Sequence, residues 1–189
     1  METLEKSYFD SFREVVKAIN STLDLREVMN LLVGNLTRVM DLKACAIRLL
    51  DPKRRTLELL ASSGLSERYI SKGPVDADRS IAEAMEGKIV VVKEASADSR
   101  AQYQNEAIEE GIGTIVSVPL SIKGRILGVL RLYTAHPREF SGEELNFAEA
   151  LAEMGAIAIE NAKMYEKVKK DYESVMSDIY SFVGYRRSI

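Results

Sequence analysis

Apolar residues recur near the start of the chain at Leu4, Tyr8, Phe12, Val15 and Ile19, spacings of four, four, three and four that place them on one side of a helix. A second stripe (Leu25, Val28, Met29, Leu32, Leu36, Val39 and Met40) follows Asp24, and Glu27 completes the form of a capping box. The pattern predicts two helices, about 3–20 and 25–40, parted by Asn20-Ser21-Thr22. The period then shortens. Lys43 to Leu50 and Thr56 to Ser62 are dense runs either side of the polar turn Asp51-Pro52-Lys53-Arg54-Arg55, which predicts a strand hairpin. Gly64 to Val75 is punctuated by Gly and Pro and reads as loop, with at most a turn of helix around Ser66–Ile70. Ile81 to Met85 predicts a short helix closed by Gly87, and Ile89 to Val92 a third strand. The polar stretch Glu94 to Asn105 leads into a short helix that ends at Gly111. Thr114 to Ile122 and Ile126 to Thr134 flank Lys123-Gly124-Arg125 as a second hairpin. Ser141 with Glu144 forms another capping box, and Phe140 with Leu145 a hydrophobic staple, at the head of a helix without proline or strong stop for about forty residues.

Helices, then hairpin strands with helical crossovers, then a helix make an α+β pattern with a largely antiparallel sheet of about five to six strands. The terminal helices are expected to cover one face and the loops to roof the other. The far half of the last helix places Tyr165, Val168, Tyr172, Val175, Ile179 and Phe182 at spacings of 3, 4, 3, 4 and 3, the seam of a short coiled coil, with Glu166 and Lys170 paired on its flank. With the N-terminal stripe of Leu4, Tyr8, Phe12 and Val15, this seam predicts helices that pair between two copies of the chain. The expected organisation is an N-terminal helix over 1–22, one domain over 23–165 and a coiled-coil-like extension over 166–189.

Composition narrows the chemistry. The 29 acids and 26 bases give a net charge of −3, which offers no basic footprint for nucleic acid. One cysteine cannot form an internal disulfide or a multi-thiolate metal site, and one histidine leaves little for zinc or a Ser-His-Asp relay. The opening METLEKSYFDSF carries acids where a signal peptide would be basic, and no run approaches 18 apolar residues, so a cytoplasmic chain without a membrane partner is expected. His136 before Pro137 reads as a turn residue. Gly111-Ile112-Gly113 lacks the third glycine of a dinucleotide fingerprint, and Asp76 with Asp78 lacks the rest of a calcium loop. Cys45, mid-strand among Ala44, Ala46 and Ile47, reads as a small core hydrophobe, with a thiol-based redox role as a remote alternative.

Two arginines interrupt apolar strands. In the first strand Cys45, Ile47 and Leu49 point one way and Ala46, Arg48 and Leu50 the other. In the last, Val129, Arg131 and Tyr133 share a face opposite Gly128, Leu130 and Leu132. An arginine in such a place must snorkel, pair with an internal acid, face water at a sheet edge, or meet an anionic ligand, because a buried unpaired charge is costly. The functional reading is that Arg48 and Arg131 recognise a carboxylate or phosphate.

Several segments resemble the GAF domain family: Ala44-Cys45-Ala46-Ile47-Arg48-Leu49-Leu50-Asp51, Leu57-Glu58-Leu59-Leu60-Ala61-Ser62-Ser63-Gly64-Leu65, Thr114-Ile115-Val116-Ser117-Val118-Pro119-Leu120, Gly128-Val129-Leu130-Arg131-Leu132-Tyr133-Thr134, Phe140-Ser141-Gly142-Glu143-Glu144-Leu145 and Ala156-Ile157-Ala158-Ile159-Glu160-Asn161-Ala162. Their order and spacing are similar to that family over roughly 23–165. The resemblance implies a central antiparallel sheet with a small-molecule pocket on the face away from the terminal helices. It also implies a sensory or regulatory role, commonly in a dimer that signals to an output protein such as a kinase or transcription regulator. It places the pocket at Ser63, Tyr69, Ser80, Ile81, Tyr103 and Ser117, with Arg48 and Arg131 on the sheet floor. Cyclic nucleotide, bilin and haem are not expected: the Asn-Lys signature is missing, Cys45 sits in a strand and His136 is misplaced. The reductases of this family that act on methionine sulfoxide use more than one cysteine. The resulting expectation is a non-enzymatic sensor of a small, anionic ligand, acting as a homodimer. The alternative is a ligand-free dimerisation module.

Overall fold

A computed structural model describes the backbone of residues 2–22 and 24–186, and the side chains of 7–22, 24–78, 81–177 and 179–180. Two helices come first, α1 (Glu2–Ser21) and α2 (Leu25–Val39), and the carboxylate of Asp24 caps α2 by accepting from the backbone N–H groups of Arg26 and Glu27. Then follow β1 (Ala44–Asp51), β2 (Thr56–Ser63), α3 (Glu67–Ile70), β3 (Val75–Asp76), α4 (Ala77–Ser80), α5 (Ala82–Met85), β4 (Val90–Val92), α6 (Gln104–Glu110), β5 (Ile115–Ile122), β6 (Arg125–Tyr133) and α7 (Gly142–Arg186). The six strands form one antiparallel sheet in the order β3-β2-β1-β6-β5-β4. The fold class is therefore α+β, as the sequence pattern predicts. Only β3 and α4 arise where the sequence reads as loop or nothing. Asp76 starts α4 by accepting from the N–H of Asp78, and β3 is a two-residue edge strand that pairs with Thr56 and Leu57.

The main core lies between the sheet and α1, α2 and α7. Cys45, Ile47, Val116, Val118, Leu130 and Leu132 face it from the strands, against Met29, Leu32, Leu36, Leu151, Ala152 and Ile159 from the helices. Each alternates with a residue that faces the other side, so one strand serves two layers. At Gly155 the backbone of α7 comes close: a Cβ there would lie 3.3 Å from Leu32 and 3.4 Å from Leu120. The head of α7 is fixed by a reciprocal capping box. The Ser141 hydroxyl accepts from the Glu144 N–H at 3.2 Å, and the Glu144 carboxylate accepts from the Ser141 N–H at 2.8 Å. The β5–β6 turn uses left-handed backbone at Lys123 (φ 50°) and Gly124 (φ 75°), the twist that a two-residue hairpin requires.

The N-terminal stripe is used within the chain. Val15 is fully buried in the main core, Phe12 packs against it, and the ring of Tyr8 stacks on Phe147 at 4.2 Å and 9°. Val15 is thus spent inside the chain, whereas Tyr8 and Phe12 remain half-buried. A helical stripe reveals that a surface will be buried, not against what, and here α2 and α7 offer the nearer apolar surface. The side chains of Leu4 and Phe182 lie outside the described residues.

Candidate functional site

On the sheet face away from the long helices, β1 contributes Ala44, Ala46 and Arg48, and β6 contributes Val129, Arg131 and Tyr133. Arg48 lies opposite Val129 and Ala46 lies opposite Arg131, so the two arginines are diagonal neighbours on one face of adjacent strands. Ser117 of β5 lies opposite Arg131 on its other side. Arg48 is 3% exposed and Arg131 4%. Arg48 Nη1 donates to the Leu57 carbonyl at a long 3.4 Å, while its Nε and Nη2 have no hydrogen-bond partner. Among the described residues no carboxylate forms an ion pair with Arg48. The buried Tyr133 hydroxyl is likewise without a partner.

The roof comes from the segment after β2. Ser66 caps α3 by accepting from the Tyr69 N–H, and is itself held by Glu110 of α6, which accepts from both the Ser66 N–H and its hydroxyl. Arg68 adds an ion pair with Glu109 at 2.5 Å. These ties drop Tyr69 onto the floor, where its ring meets Tyr133 edge-on at 6.0 Å. Burial, then the neighbouring Tyr133, pushes the Tyr69 hydroxyl above its ordinary pKa. Lys72 folds over the same ring, with Nζ 3.5 Å from its centroid and 5.4 Å from that of Tyr103, and donates to the Tyr69 carbonyl at 3.0 Å. Burial first, then Arg48 and Arg131, lower the Lys72 ammonium to about 7. The space bounded by Tyr69, Lys72, Val75, Tyr103, Ile115 and Arg131 is about 10 Å³, room for about one water molecule. Tyr69 separates it from an outer cleft of about 590 Å³ between α3 and α6.

Of the residues expected here, Arg48, Arg131, Tyr69 and Ser117 come together on or over the floor. Ile81 is buried above Val129, beside Leu57 and Val75. Tyr103 stands in the roof, its hydroxyl donating to the Pro74 carbonyl at 2.8 Å. Ser63 does not join them. Its register partner is Cys45, and an irregularity between Ile47 and Arg48 turns the end of β2 so that Ser63 shares the helix-bearing face. The side chain of Ser80 lies outside the described residues. Lys72 and Tyr133 were not singled out by sequence reasoning. Tyr133 could have been, since it alternates with Arg131, whereas a lysine in a Gly/Pro-punctuated loop carries no such signal.

Cys45 lies fully buried on the opposite face, and burial pushes its thiol well above the ordinary range despite a hydrogen bond from the Ala46 backbone. A thiol held protonated and out of reach is a poor nucleophile, and Cys45 packs as a small core residue. Beyond residue 160, α7 leaves the domain, and Tyr165, Val168, Tyr172, Val175 and Ile179 are 49 to 67% exposed. No described helix is long and apolar enough to cross a membrane.

The chain is 23% identical over 179 residues to the formate hydrogenlyase transcriptional activator FhlA of Escherichia coli (89% of this chain, 26% of the relative). It is 28% identical over 168 residues to the methyl sulfide methyltransferase-associated sensor of Methanosarcina acetivorans (85% and 17%). The chain thus spans about a quarter or less of these relatives, which are regulatory and sensory proteins by name. Among solved structures it is similar to the GAF domain of a phosphoenolpyruvate-protein phosphotransferase from Coxiella burnetii (TM-score 0.75, 20% identity, 86% of this chain and 98% of that one). It is also similar to the free methionine-R-sulfoxide reductase of Neisseria meningitidis (TM-score 0.71, 18% identity, 84% and 91%). At these identities the two structures speak for the fold alone. With the family model for the GAF domain matching residues 22–160, on a sheet that carries long helices on one face and a roofed floor on the other, the chain belongs to the GAF domain family.

Proposed function

We propose that this GAF domain is a non-enzymatic sensory module that binds a small anion on the Arg48–Arg131 floor and signals through paired helices of a homodimer. The observation that carries the reading is Arg48: a fully charged guanidinium buried beside a second arginine, with Nε and Nη2 lacking partners. Folding leaves such donors unpaired at a cost of about 1–3 kcal/mol each, a cost that an anion would offset. The unpartnered Tyr133 hydroxyl supplies a further donor. The space under Tyr69 holds about one water, so a ligand reaches the floor by lifting Tyr69 toward the outer cleft, a smaller movement for a compact anion than for a cyclic nucleotide, a bilin or haem. Floor residues alternate along β1 and β6 with residues packed on the helices, so a shift of the floor reaches α7 through one layer of side chains. The exposed seam from Tyr165 to Ile179 supports pairing of α7 with a second copy, and the sensor and activator relatives support an output partner such as a transcription regulator or kinase.

The test is thermal unfolding with sulfate, oxalate, nitrate and acetate in turn. At least one is expected to raise the melting temperature of the wild type and to leave that of Arg48→Met unchanged. A second reading, a ligand-free dimerisation module, is favoured by the small size of the inner space. It expects no anion to act, while removal of the helix after Val168 converts dimer to monomer in light scattering.

A further inference from the structure

We infer that Lys72 is the third cation of this site, parked over Tyr69 until a ligand bearing two negative charges draws its ammonium onto the floor beside Arg131. The inference rests on the anion reading above and adds the charge class of the ligand. Lys72 and Arg131 line the same space, and no described acid forms an ion pair with Lys72. Its held position is weak. One hydrogen bond to the Tyr69 carbonyl and the faces of two tyrosine rings replace full hydration. The charged groups facing Lys72 are Arg48 on β1 and Arg131 on β6, which repel its ammonium, and the more favourable carboxylates Glu106 and Glu110 on α6. The titratable tyrosines beside it are Tyr69 and Tyr103. With two arginines permanently charged, a single negative charge leaves the floor net positive and Lys72 repelled. A second negative charge cancels the two arginines, and Glu106 and Glu110 then tip the balance toward the ammonium. The amine then takes up a proton and donates to the ligand, so that binding of a compact dianion is coupled to proton uptake.

Sulfate and oxalate serve as dianion probes and nitrate and acetate as monoanions, titrated calorimetrically at pH 8 in two buffers of different ionisation enthalpy. From a starting value of about 7, dianion binding to the wild type should take up about 0.9 proton. Its affinity should fall by up to about tenfold per pH unit between pH 7.5 and 9.5. Lys72→Arg cannot lose its charge, so it should bind dianions with no uptake and a flat pH profile. Lys72→Met should lose about tenfold to a hundredfold in dianion affinity and change little for acetate. Dianion binding to the wild type without proton uptake, or an unchanged dianion preference in Lys72→Met, would overturn the role of Lys72 and leave the anion reading standing. Failure of the wild type to bind any of the four probes would overturn both.

Discussion

Replacing Arg48 by methionine tests the site through the stability of the protein rather than through a ligand. The side chain is 3% exposed, makes one 3.4 Å hydrogen bond, and holds Nε and Nη2 unpartnered. Two orphaned donors cost about 2–6 kcal/mol together, and the long bond to the Leu57 carbonyl returns about 0.5–1.5 kcal/mol. Methionine follows the same path with an apolar, flexible chain and fills most of the volume. In a buffer without small oxyanions, Arg48→Met should therefore be more stable than the wild type by about 0.5–5.5 kcal/mol, before any relief of repulsion with Arg131 and Lys72. For a domain of this size each kcal/mol raises the melting temperature by about 2–4 °C, so the expected rise is roughly 1–20 °C. Urea unfolding followed by far-ultraviolet circular dichroism reads the same quantity as a higher midpoint at unchanged slope. Anion should narrow or reverse the gap, since a ligand at a hundred times its Kd stabilises the wild type by about 2.7 kcal/mol and the variant not at all. If Arg48 were instead half of an internal ion pair, its loss would destabilise by about 3–5 kcal/mol. A variant that unfolds at lower urea, with native slope and spectrum, would refute the reasoning.

Lys72 holds its proton less tightly in the folded chain, at about 7 against an ordinary 10.5, so between those values the unfolded chain binds more protons and stability rises with pH. The limiting slope is about 1.4 kcal/mol per pH unit, reduced by solvent screening because Lys72 is only half-buried; melting curves from pH 7 to 9.5 should climb in the wild type relative to Lys72→Met, and parallel curves would contradict this. A Cβ at Gly128 would overlap the Arg48 carbonyl oxygen across the β1–β6 ladder, so Gly128→Ala should destabilise by about 3 kcal/mol or more in urea unfolding, whereas a near-neutral result would mean that the strands can part. Paired changes Val168→Glu and Tyr172→Glu put charge on exposed positions of α7, so they should abolish dimers in light scattering without lowering the melting temperature of the domain. Native Cys45 should be modified by a thiol reagent no faster than the protein unfolds, and rapid labelling would place it elsewhere than in the core.

What the chain made readable was whatever depends on local period. Alternation in Ala44–Asp51 and Arg125–Tyr133 is enough to set both arginines on one face, because side chains in a strand must alternate. The N-cap at Asp24 and the capping box at Ser141 mark helix starts for reasons that lie within four residues. Ser63 escaped the same reasoning because the irregularity in β1–β2 pairing shifts the register before the strand ends, and the sequence carries no mark of that shift. Lys72 escaped it too, because Gly64–Val75 takes its path from α6 through Glu110 and Glu109, contacts more than forty residues distant in the chain. What the α1 stripe packs against was equally out of reach, since Tyr8 meets Phe147 only after α7 has folded back.

The length of α7 gives it mechanical leverage. It is clamped against the sheet as far as Ile159, well short of its midpoint, and the same uninterrupted helix continues to Arg186. At 1.5 Å per residue the overhang measures about 40 Å, so a tilt of about 5° at the clamp sweeps the far end through roughly 3.5 Å. That displacement is about the rise of two residues, enough to put the exposed Tyr165–Ile179 stripe out of step with whatever packs on it. Gly155, where α7 touches Leu32 and Leu120 most closely, is the natural fulcrum.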